Sequence, residues 1–357
     1  MFSCPVQSIQ DELVTLAHGA GGAEMQKVIH EFSEAFSLGN NSQVPSAMPP
    51  HHDGAVVEAH GKIAFSTDSY VVKPLCFPGG DIGKLAVYGT CNDLAVCGAS
   101  PRYLSCALII EEGFPRAQLR EISLSMAAAA REVGVRIVTG DTKVVPRGDA
   151  DQLFINTAGV GWVETGCSIS SAHIQAGDKI ILSSDIGRHG LAILSARQNI
   201  RLRTPIVSDC AYIGEPIFAT LRLGRPPRFV RDLTRGGLGC VLHEVARDLH
   251  ASLLIDEEAI LVSSPVRSLC EILGLEAINL ANEGCFMMVV EPGAAEETLA
   301  VLRQFESCRQ ACVIGVVQSV GLPNLGARGQ GRVELQNSIG GPRLFPYLSG
   351  EILPRIC

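Results

Sequence analysis

Two kinds of residue in this chain could do chemistry: a thiol at its end and a series of carboxylates spread along it. The last four residues are Pro354-Arg355-Ile356-Cys357. A sulfur on a free terminus is nucleophilic and able to leave the folded body, because the last residues of a domain are usually poorly ordered. It suits a carrier arm that collects a small group in one place and returns with it. From Tyr347 to Cys357 such an arm reaches roughly 35 Å at about 3.3 Å per residue. The terminal carboxylate disfavours a thiolate and Arg355 favours it, so the thiol pKa can fall on either side of about 8.5. No aliphatic pair follows the cysteine, which excludes a prenylation box. A terminal cysteine without a role is the alternative.

The carboxylates are Asp53, Asp68, Asp81, Asp93, Asp141 and Asp232, each expected at a strand end or helix start beside small residues. Such places suit magnesium and phosphate: hard cations take oxygen ligands, and backbone N–H groups at helix starts add positive potential. Ser66-Thr67-Asp68-Ser69, Asn92-Asp93-Leu94-Ala95 and Gly140-Asp141-Thr142-Lys143 flank three apolar segments of one half and could converge. Taken singly, each aspartate has an ordinary use. Asp81 could cap a helix beginning near Gly83, and Asp178 belongs to a turn. Known nucleotide signatures fail. Gly80-Asp81-Ile82-Gly83-Lys84 departs from a P-loop at Pro78 and Leu85, and His18 to Gly22 lacks the strand that precedes a dinucleotide fingerprint. A nucleotide site here must use another architecture.

The elements that would position these groups follow from pattern. Leu16-Ala17-His18-Gly19-Ala20-Gly21-Gly22 reads as a glycine loop feeding an amphipathic helix at Glu24–Phe36, with Met25, Val28, Ile29 and Phe32 on one face. Strands are expected at Ala55–Glu58 and Lys62–Thr67, a helix at Gly83–Cys97, a strand at Arg102–Ile110, a helix at Arg116–Val133, and strands at Arg136–Thr139 and Leu153–Val163. The second half again alternates strands and helices, with a strand at Ile180–Ser183, a helix around Gly190–Ala196, an Asp-Leu-Thr-Arg-Gly-Gly turn into a helix at Leu238–Leu249, and further strand and helix pairs to Val317. The fold class is α/β of the α+β kind. The expected division is a loop and helix over 1–45, a first domain over 46–170, a second over 171–345, and a mobile tail over 346–357.

Composition narrows the function. With 357 residues and 37 glycines, the chain has room for two domains with tight turns and close backbone approaches. Its net charge of −8 argues against a nucleic-acid partner, which wants a basic stripe, and means that an anionic substrate needs metal ions. The thirteen cysteines are never spaced as CxxC pairs, which disfavours a zinc ribbon or a disulfide framework. Cys91, Cys97, Cys106, Cys308 and Cys312 are expected in the core, Trp162 in packing, and His18, His51 and His52 in solvent. No apolar run approaches the length of a membrane span, and no basic leader is visible, so a reducing cytoplasm fits.

Taken together, several segments resemble the hydrogenase maturation factor HypE family. They are Ala17-His18-Gly19-Ala20-Gly21-Gly22, Thr67-Asp68-Ser69, the run Pro78 to Val87, Asn92-Asp93-Leu94-Ala95-Val96, Gly140-Asp141-Thr142-Lys143-Val144-Val145, Arg231 to Gly237, Asn282-Glu283-Gly284 and the terminal Pro-Arg-Ile-Cys. The wider aminoimidazole ribonucleotide synthetase (PurM-like) superfamily shares the aspartate motifs without the terminal cysteine. The resemblance implies a two-domain PurM-like fold, a homodimer formed through the sheet of the amino-terminal domain, and ATP under the glycine-rich loop. It further implies a reaction in which a carbamoyl group, received on Cys357 from a HypF-like carbamoyltransferase, is dehydrated with ATP to a thiocyanate. The cyano group then passes to iron on a HypC–HypD scaffold during [NiFe] hydrogenase assembly.

By the same resemblance, Cys357, Lys143 and Glu283 are the catalytic set. Glu283 is a base, and Lys143 a second base or a phosphate clamp. His18, Gly19, Gly21, Gly22, Asp81, Lys84, Asp141 and Thr142 would contact ATP, and Asp53, Asp68, Asp93 and Asp232 would hold Mg2+. Ordinary uses stay open: Lys143 could pair with a neighbouring carboxylate and Glu283 could sit in a solvated turn. Cys285 stands where the family often carries a longer basic residue. Another PurM-like ATP-dependent activity, or a nucleotide-regulated scaffold whose tail only docks a partner, are the competing functions.

Overall fold

A computed structural model describes residues 13–19, 23–37, 57, 61–200, 202–321, 331–347, 353 and 356–357. Gly21, Gly22, His51, His52 and Asp53 lie outside the described residues, as does all but Val57 of the strand expected at Ala55–Glu58.

The first half opens with a 3-10 turn at Leu16–Gly19 and helix α1 (Ala23–Ser37). Strand β1 (Ile63–Tyr70) follows, then a two-stranded hairpin of β2 (Cys76–Phe77) and β3 (Gly80–Asp81). Asp81 ends that hairpin and starts α2 (Ile82–Val96): its Oδ1 accepts from the N–H groups of Gly83 at 2.8 Å and Lys84 at 3.0 Å. Those two N–H groups have no partner inside the helix, which is why an aspartate suits this position. Strand β4 (Ala99–Glu111), helix α3 (Arg116–Val133), β5 (Arg136–Val145) and β6 (Leu153–Val163) complete a sheet in the order β1-β6-β4-β5. Within it only β4 and β5 run parallel, joined by α3, as a parallel pair requires a crossover.

Alternation along β6, and along β4 apart from a register shift between Pro101 and Tyr103, buries one face of this sheet under α2 and leaves the other open. The open face carries Ile63, Phe65 and Ile109, with Phe65 67% exposed. On the covered side α2 is buried along nearly its whole length; Lys84 and Asp93 are its exceptions. A helix apolar all round must be packed on all sides. Here the first sheet and α3 cover one side and elements of the second half cover the other.

The second half holds β7 (Lys179–Leu182), α4 (Arg188–Arg197), α5 (Gly214–Leu221), β8 (Phe229–Asp232), α6 (Gly237–Asp248), β9 (Ser252–Asp256), α7 (Ser264–Leu273), β10 (Phe286–Val290), α8 (Ala295–Leu302), β11 (Cys312–Ser319), β12 (Arg332–Gln336) and β13 (Arg343–Leu344). Its strands form one sheet in the order β13-β12-β9-β11-β7-β10-β8. Strand β10, Phe-Met-Met-Val-Val, is buried at every position because it runs through the sheet interior with both faces covered.

Several expectations are corrected. Strand β5 does not stop at Thr139. It continues through Gly140-Asp141-Thr142-Lys143 because a Cβ at Gly140 would overlap the Cys106 carbonyl, and glycine lets the two strands keep pairing there. Asp141 is therefore mid-strand; Asp68 is too, because β1 runs on to Tyr70, and Asp93 sits in the last turn of α2 rather than at a helix start. Cys97 is exposed, because it is the residue on which α2 ends, and Cys312 is half-buried at the start of β11; Cys91, Cys106 and Cys308 are core residues. His18 is buried rather than in solvent, its Nδ1 2.9 Å from both the Thr15 N–H and hydroxyl. No helix among the described residues is long and apolar enough to cross a membrane.

Candidate active site

Between the two halves lies a cleft of about 490 Å3 lined by Asp68, Asp93, Asp232, Glu283, Arg235 and Cys357, among others. Each arrives from a different element. Asp68 comes from β1, Asp93 from α2, Asp232 from the last position of β8, Glu283 from the loop before β10, Arg235 from the turn before α6, and Cys357 from the chain end. No apolar residue of α2 could occupy the Asp93 position without facing this polar space.

The carboxylates strain against one another. Burial pushes the Asp93 carboxyl above its ordinary range and Asp68 adds to this; the Ser66 hydroxyl, donating at 2.6 Å to Asp93 Oδ2, works the other way. Asp232 is pushed up to about 7, first by burial and then by Asp93, with Arg231 opposing from 3.7 Å. Asp68, Asp93 and Asp232 are hard oxygen donors whose repulsion a divalent cation would relieve. No group of three or more acidic, histidine or cysteine side chains among the described residues is arranged to hold a metal by itself. A cation held here would have to complete its shell with water and phosphate oxygens, as magnesium does.

Glu283 is not in a solvated turn: it is buried, and its Oε1 has no hydrogen-bond partner among the described residues. Burial holds its carboxyl well above the ordinary range, and Asp209, Asp232, Asp68 and Asp93 add to the effect. Its neighbours explain how it is held. Asn282 Oδ1 accepts from the Gly187 N–H at 2.7 Å, and its Nδ2 donates to the Leu233 and Leu280 carbonyls, both at 3.0 Å. Gly284 donates its N–H to Asp209 Oδ2 at 3.1 Å, and a Cβ there would overlap the Asp209 carbonyl. Asn-Glu-Gly is thus a clamp, an acid and a close approach. Gly237, with φ +61, is likewise pressed against the Leu280 carbonyl, which brings the Arg235 turn up to the same loop.

The chain end lies inside the cleft. Val71 N–H donates to a terminal carboxylate oxygen of Cys357 at 3.1 Å, His189 Nε2 is 3.0 Å from the Ile356 carbonyl, and Arg235 Nη2 is 3.7 Å from Cys357 Sγ. Burial pushes the thiol up to about 11 and Glu283 reinforces this, against Arg235.

The remaining expected residues are elsewhere. Lys143 Nζ donates to Asp141 Oδ1 at 2.8 Å, both groups largely exposed. That bond holds the Asp141 carboxyl below its ordinary range. In the register with β4, Lys143 lies opposite Ile109 and Asp141 opposite Ala107, on the open face of the first sheet. Thr142 is buried on the other face, opposite Leu108. Asp81 caps α2, accepts from Ser125 Oγ at 2.5 Å, and is followed by Lys84, whose ammonium lies over the Tyr88 ring. His18 and Gly19 belong to the 3-10 turn, and His18, like these, does not line the cleft. Two participants have no expectation behind them. Arg235 lies inside the Arg231 to Gly237 segment and is readable there as a cation beside an acid; His189 carries no sequence signal.

Two such domains with an acid-lined cleft between them define a class. The family model for the AIR synthase related protein N-terminal domain matches residues 51–163, and the model for the C-terminal domain matches residues 175–325. Over 352 residues the chain is 45% identical to the carbamoyl dehydratase HypE of Bradyrhizobium diazoefficiens, covering 98% of this chain and 97% of that one. A crystal structure of the hydrogenase maturation protein HypE in complex with ATP matches with a TM-score of 0.87 at 42% identity, over 96% of this chain and 99% of the other. A crystal structure of a HypE–HypF complex matches with a TM-score of 0.75 at 39% identity, over 91% and 99%. The chain belongs to the carbamoyl dehydratase HypE family, whose members are enzymes.

Proposed function

We propose that this protein carries a carbamoyl group as a thiocarboxamide on Cys357 and dehydrates it with ATP to a thiocyanate, supplying the cyanide ligand of a [NiFe] hydrogenase iron centre. The observation that carries this reading is the seating of the last residue's sulfur among Arg235, Glu283 and three aspartates. The relative solved with ATP supports ATP as the co-substrate, and the relative solved with HypF supports a HypF-like carbamoyltransferase as donor.

The chemistry balances as thiocarboxamide plus ATP giving thiocyanate, ADP and phosphate. The amide oxygen attacks the γ-phosphorus and ADP departs; the nitrogen loses one proton to give an imidate phosphate. Loss of the second proton as the carbon–oxygen bond breaks forms C≡N and releases phosphate. Glu283 is the proposed base for these protons: it is buried beside the sulfur, its Oε1 has no hydrogen-bond partner among the described residues, and burial makes its carboxylate more basic than an ordinary one. Arg235 places positive charge beside the group the sulfur carries. Asp68, Asp93 and Asp232, with Asp53 from outside the described residues, are the proposed holders of Mg2+, which when bound supplies charge neutralisation for the transferring phosphate. With its thiol protonated in the cleft, Cys357 is a poor nucleophile there, which supports loading elsewhere and return.

Lys143 and Asp141 enter this scheme through a second copy. The open face on which they lie also exposes Ile63, Phe65 and Ile109, which supports a homodimer through the first sheet and a lysine delivered across it. In the same arrangement His18, Gly19, Gly21, Gly22, Asp81, Lys84 and Thr142 are proposed nucleotide contacts completed by the pairing. The recipient is a HypC–HypD scaffold, and the setting is cytoplasmic, with neither nucleic acid nor membrane as partner. Protein incubated with carbamoyl phosphate, the transferase and ATP should gain a cyano group on the peptide containing Cys357, read by mass spectrometry. An unmodified peptide under those conditions overturns the reading.

A further inference from the structure

The proposed reaction has no use for His189, yet this residue is fully buried where the chain end crosses from one half to the other. It is the second residue of α4, and its ring meets the edge of Phe77 with centroids 5.4 Å apart. Each ring nitrogen has one partner. Nε2 is 3.0 Å from the Ile356 carbonyl, and Nδ1 is 2.8 Å from Ser208 Oγ. A carbonyl only accepts, so Nε2 must carry the proton. The Cys210 N–H donates to Ser208 Oγ at 3.1 Å, leaving the hydroxyl proton free to go to Nδ1. The chain Cys210 N–H to Ser208 O–H to His189 to Ile356 carbonyl is thereby directed end to end, with the imidazole neutral. Burial lowers the His189 pKa, in keeping with this state, although Asp209 and the Ile356 carbonyl oppose it.

On the far side of the last peptide, Val71 N–H donates to a terminal carboxylate oxygen of Cys357 at 3.1 Å. The terminal carboxylate and the carbonyl before it are therefore held from opposite halves, the first by the backbone after β1 and the second by α4. Leu353 packs with Leu191, Ile206 and Leu280, while Ile356 packs on the core of the first half. The backbone of Cys357 is thus fixed, and its thiol side faces Arg235 and Glu283.

We infer that His189 is a positioning residue: its Nε2–H latches the tail, through the Ile356 carbonyl, in the pose from which the group on Cys357 is dehydrated, and release of that bond accompanies departure to the carbamoyl donor. The dehydrating pose rests on the proposed function; the latch itself rests on geometry alone.

The test uses the full-length protein and His189→Phe, which keeps ring shape and the Phe77 contact but has no donor, and His189→Gln, whose side-chain amide can donate from the same place. Two readouts separate latch from function. First, the alkylation rate of Cys357 by iodoacetamide, resolved by peptide mass, should rise roughly ten-fold in His189→Phe, the scale expected for loss of one buried hydrogen bond, and return towards the parent in His189→Gln. Second, with the transferase and carbamoyl phosphate, His189→Phe should load carbamoyl at the parent rate or faster, yet lose water on addition of ATP roughly ten-fold more slowly. A structural lesion would depress loading too. Should His189→Phe fail to fold, Ser208→Ala, which removes the group that orients the ring, should show the same pattern to a smaller degree. Unchanged alkylation in the folded variants, or equal effects of Phe and Gln, overturns the latch. A parent protein that shows the alkylation pattern but never loses water with ATP overturns the function and leaves the latch standing.

Discussion

Asn282→Ala is the sharpest perturbation of the frame that holds Glu283. The side chain is fully buried and makes three hydrogen bonds, to the Gly187 N–H and to the Leu233 and Leu280 carbonyls. The Leu233 carbonyl keeps the Asn282 backbone N–H at 3.0 Å as a second donor. The Gly187 N–H and the Leu280 carbonyl lose the partner that Asn282 supplied. At about 1–3 kcal/mol for each buried group left unpaired, the substitution destabilises by about 2–6 kcal/mol, a large share of the ~5–15 kcal/mol that holds a domain. Because Gly187 starts α4 and Glu283 is the next residue, both the latch and the base should shift. The assay is urea unfolding followed by circular dichroism, comparing transition midpoints because a two-domain chain need not unfold in one step, with the water-loss rate measured in parallel. An Asn282→Ala midpoint within error of the parent would refute the role of Asn282 as a clamp and would leave Glu283 positioned by something else.

Glu283→Gln should load carbamoyl on Cys357 normally and then accumulate thiocarboxamide, with the ATP-dependent water loss reduced at least roughly a hundred-fold, the scale of a lost general base; conversion at the parent rate moves the proton acceptor elsewhere. The docked thiol, pushed up to about 11, should alkylate slowly at pH 8 and faster as pH rises towards that value; Glu283→Gln removes a charge that raises it and should speed alkylation at fixed pH. An unchanged pH profile in that variant would show that the carboxylate does not act on the sulfur. Phe65→Glu, on the open sheet face, should convert a dimer to monomer in analytical ultracentrifugation and lower the water-loss rate with it; a dimer that persists places the contact on another surface.

The secondary elements are legible where periodicity or capping chemistry is local: α3 runs over the expected Arg116–Val133, and Asp81 caps α2. Legibility fails where a distant contact decides the outcome. Gly140 has the look of a turn residue, but its role is to let β5 pass the Cys106 carbonyl, and Cys106 lies far off in sequence. Asp93 has the look of a helix-start residue and is, with Lys84, one of two exceptions on a buried helix, which only the packing around α2 reveals. Within the site, Asp68, Asp93, Asp232, Glu283 and Cys357 share the cleft, while Lys143 and Asp141 lie on the open face of the first sheet, outside it. Nothing near His189 in the sequence marks it, because its partners are a hydroxyl and a main-chain oxygen contributed by segments remote from it.

Helix α2 touches both sheets' domains at once, with Asn92 donating to the Ala211 carbonyl and accepting from the Ile213 N–H at 3.0 Å. A shared spine of this kind denies the molecule a hinge: the two lobes cannot swing apart without tearing a saturated helix out of one of them. Under the proposed reaction, the part that travels is therefore the residue bearing the cargo and not half of the protein, so that the charged chamber stays assembled throughout.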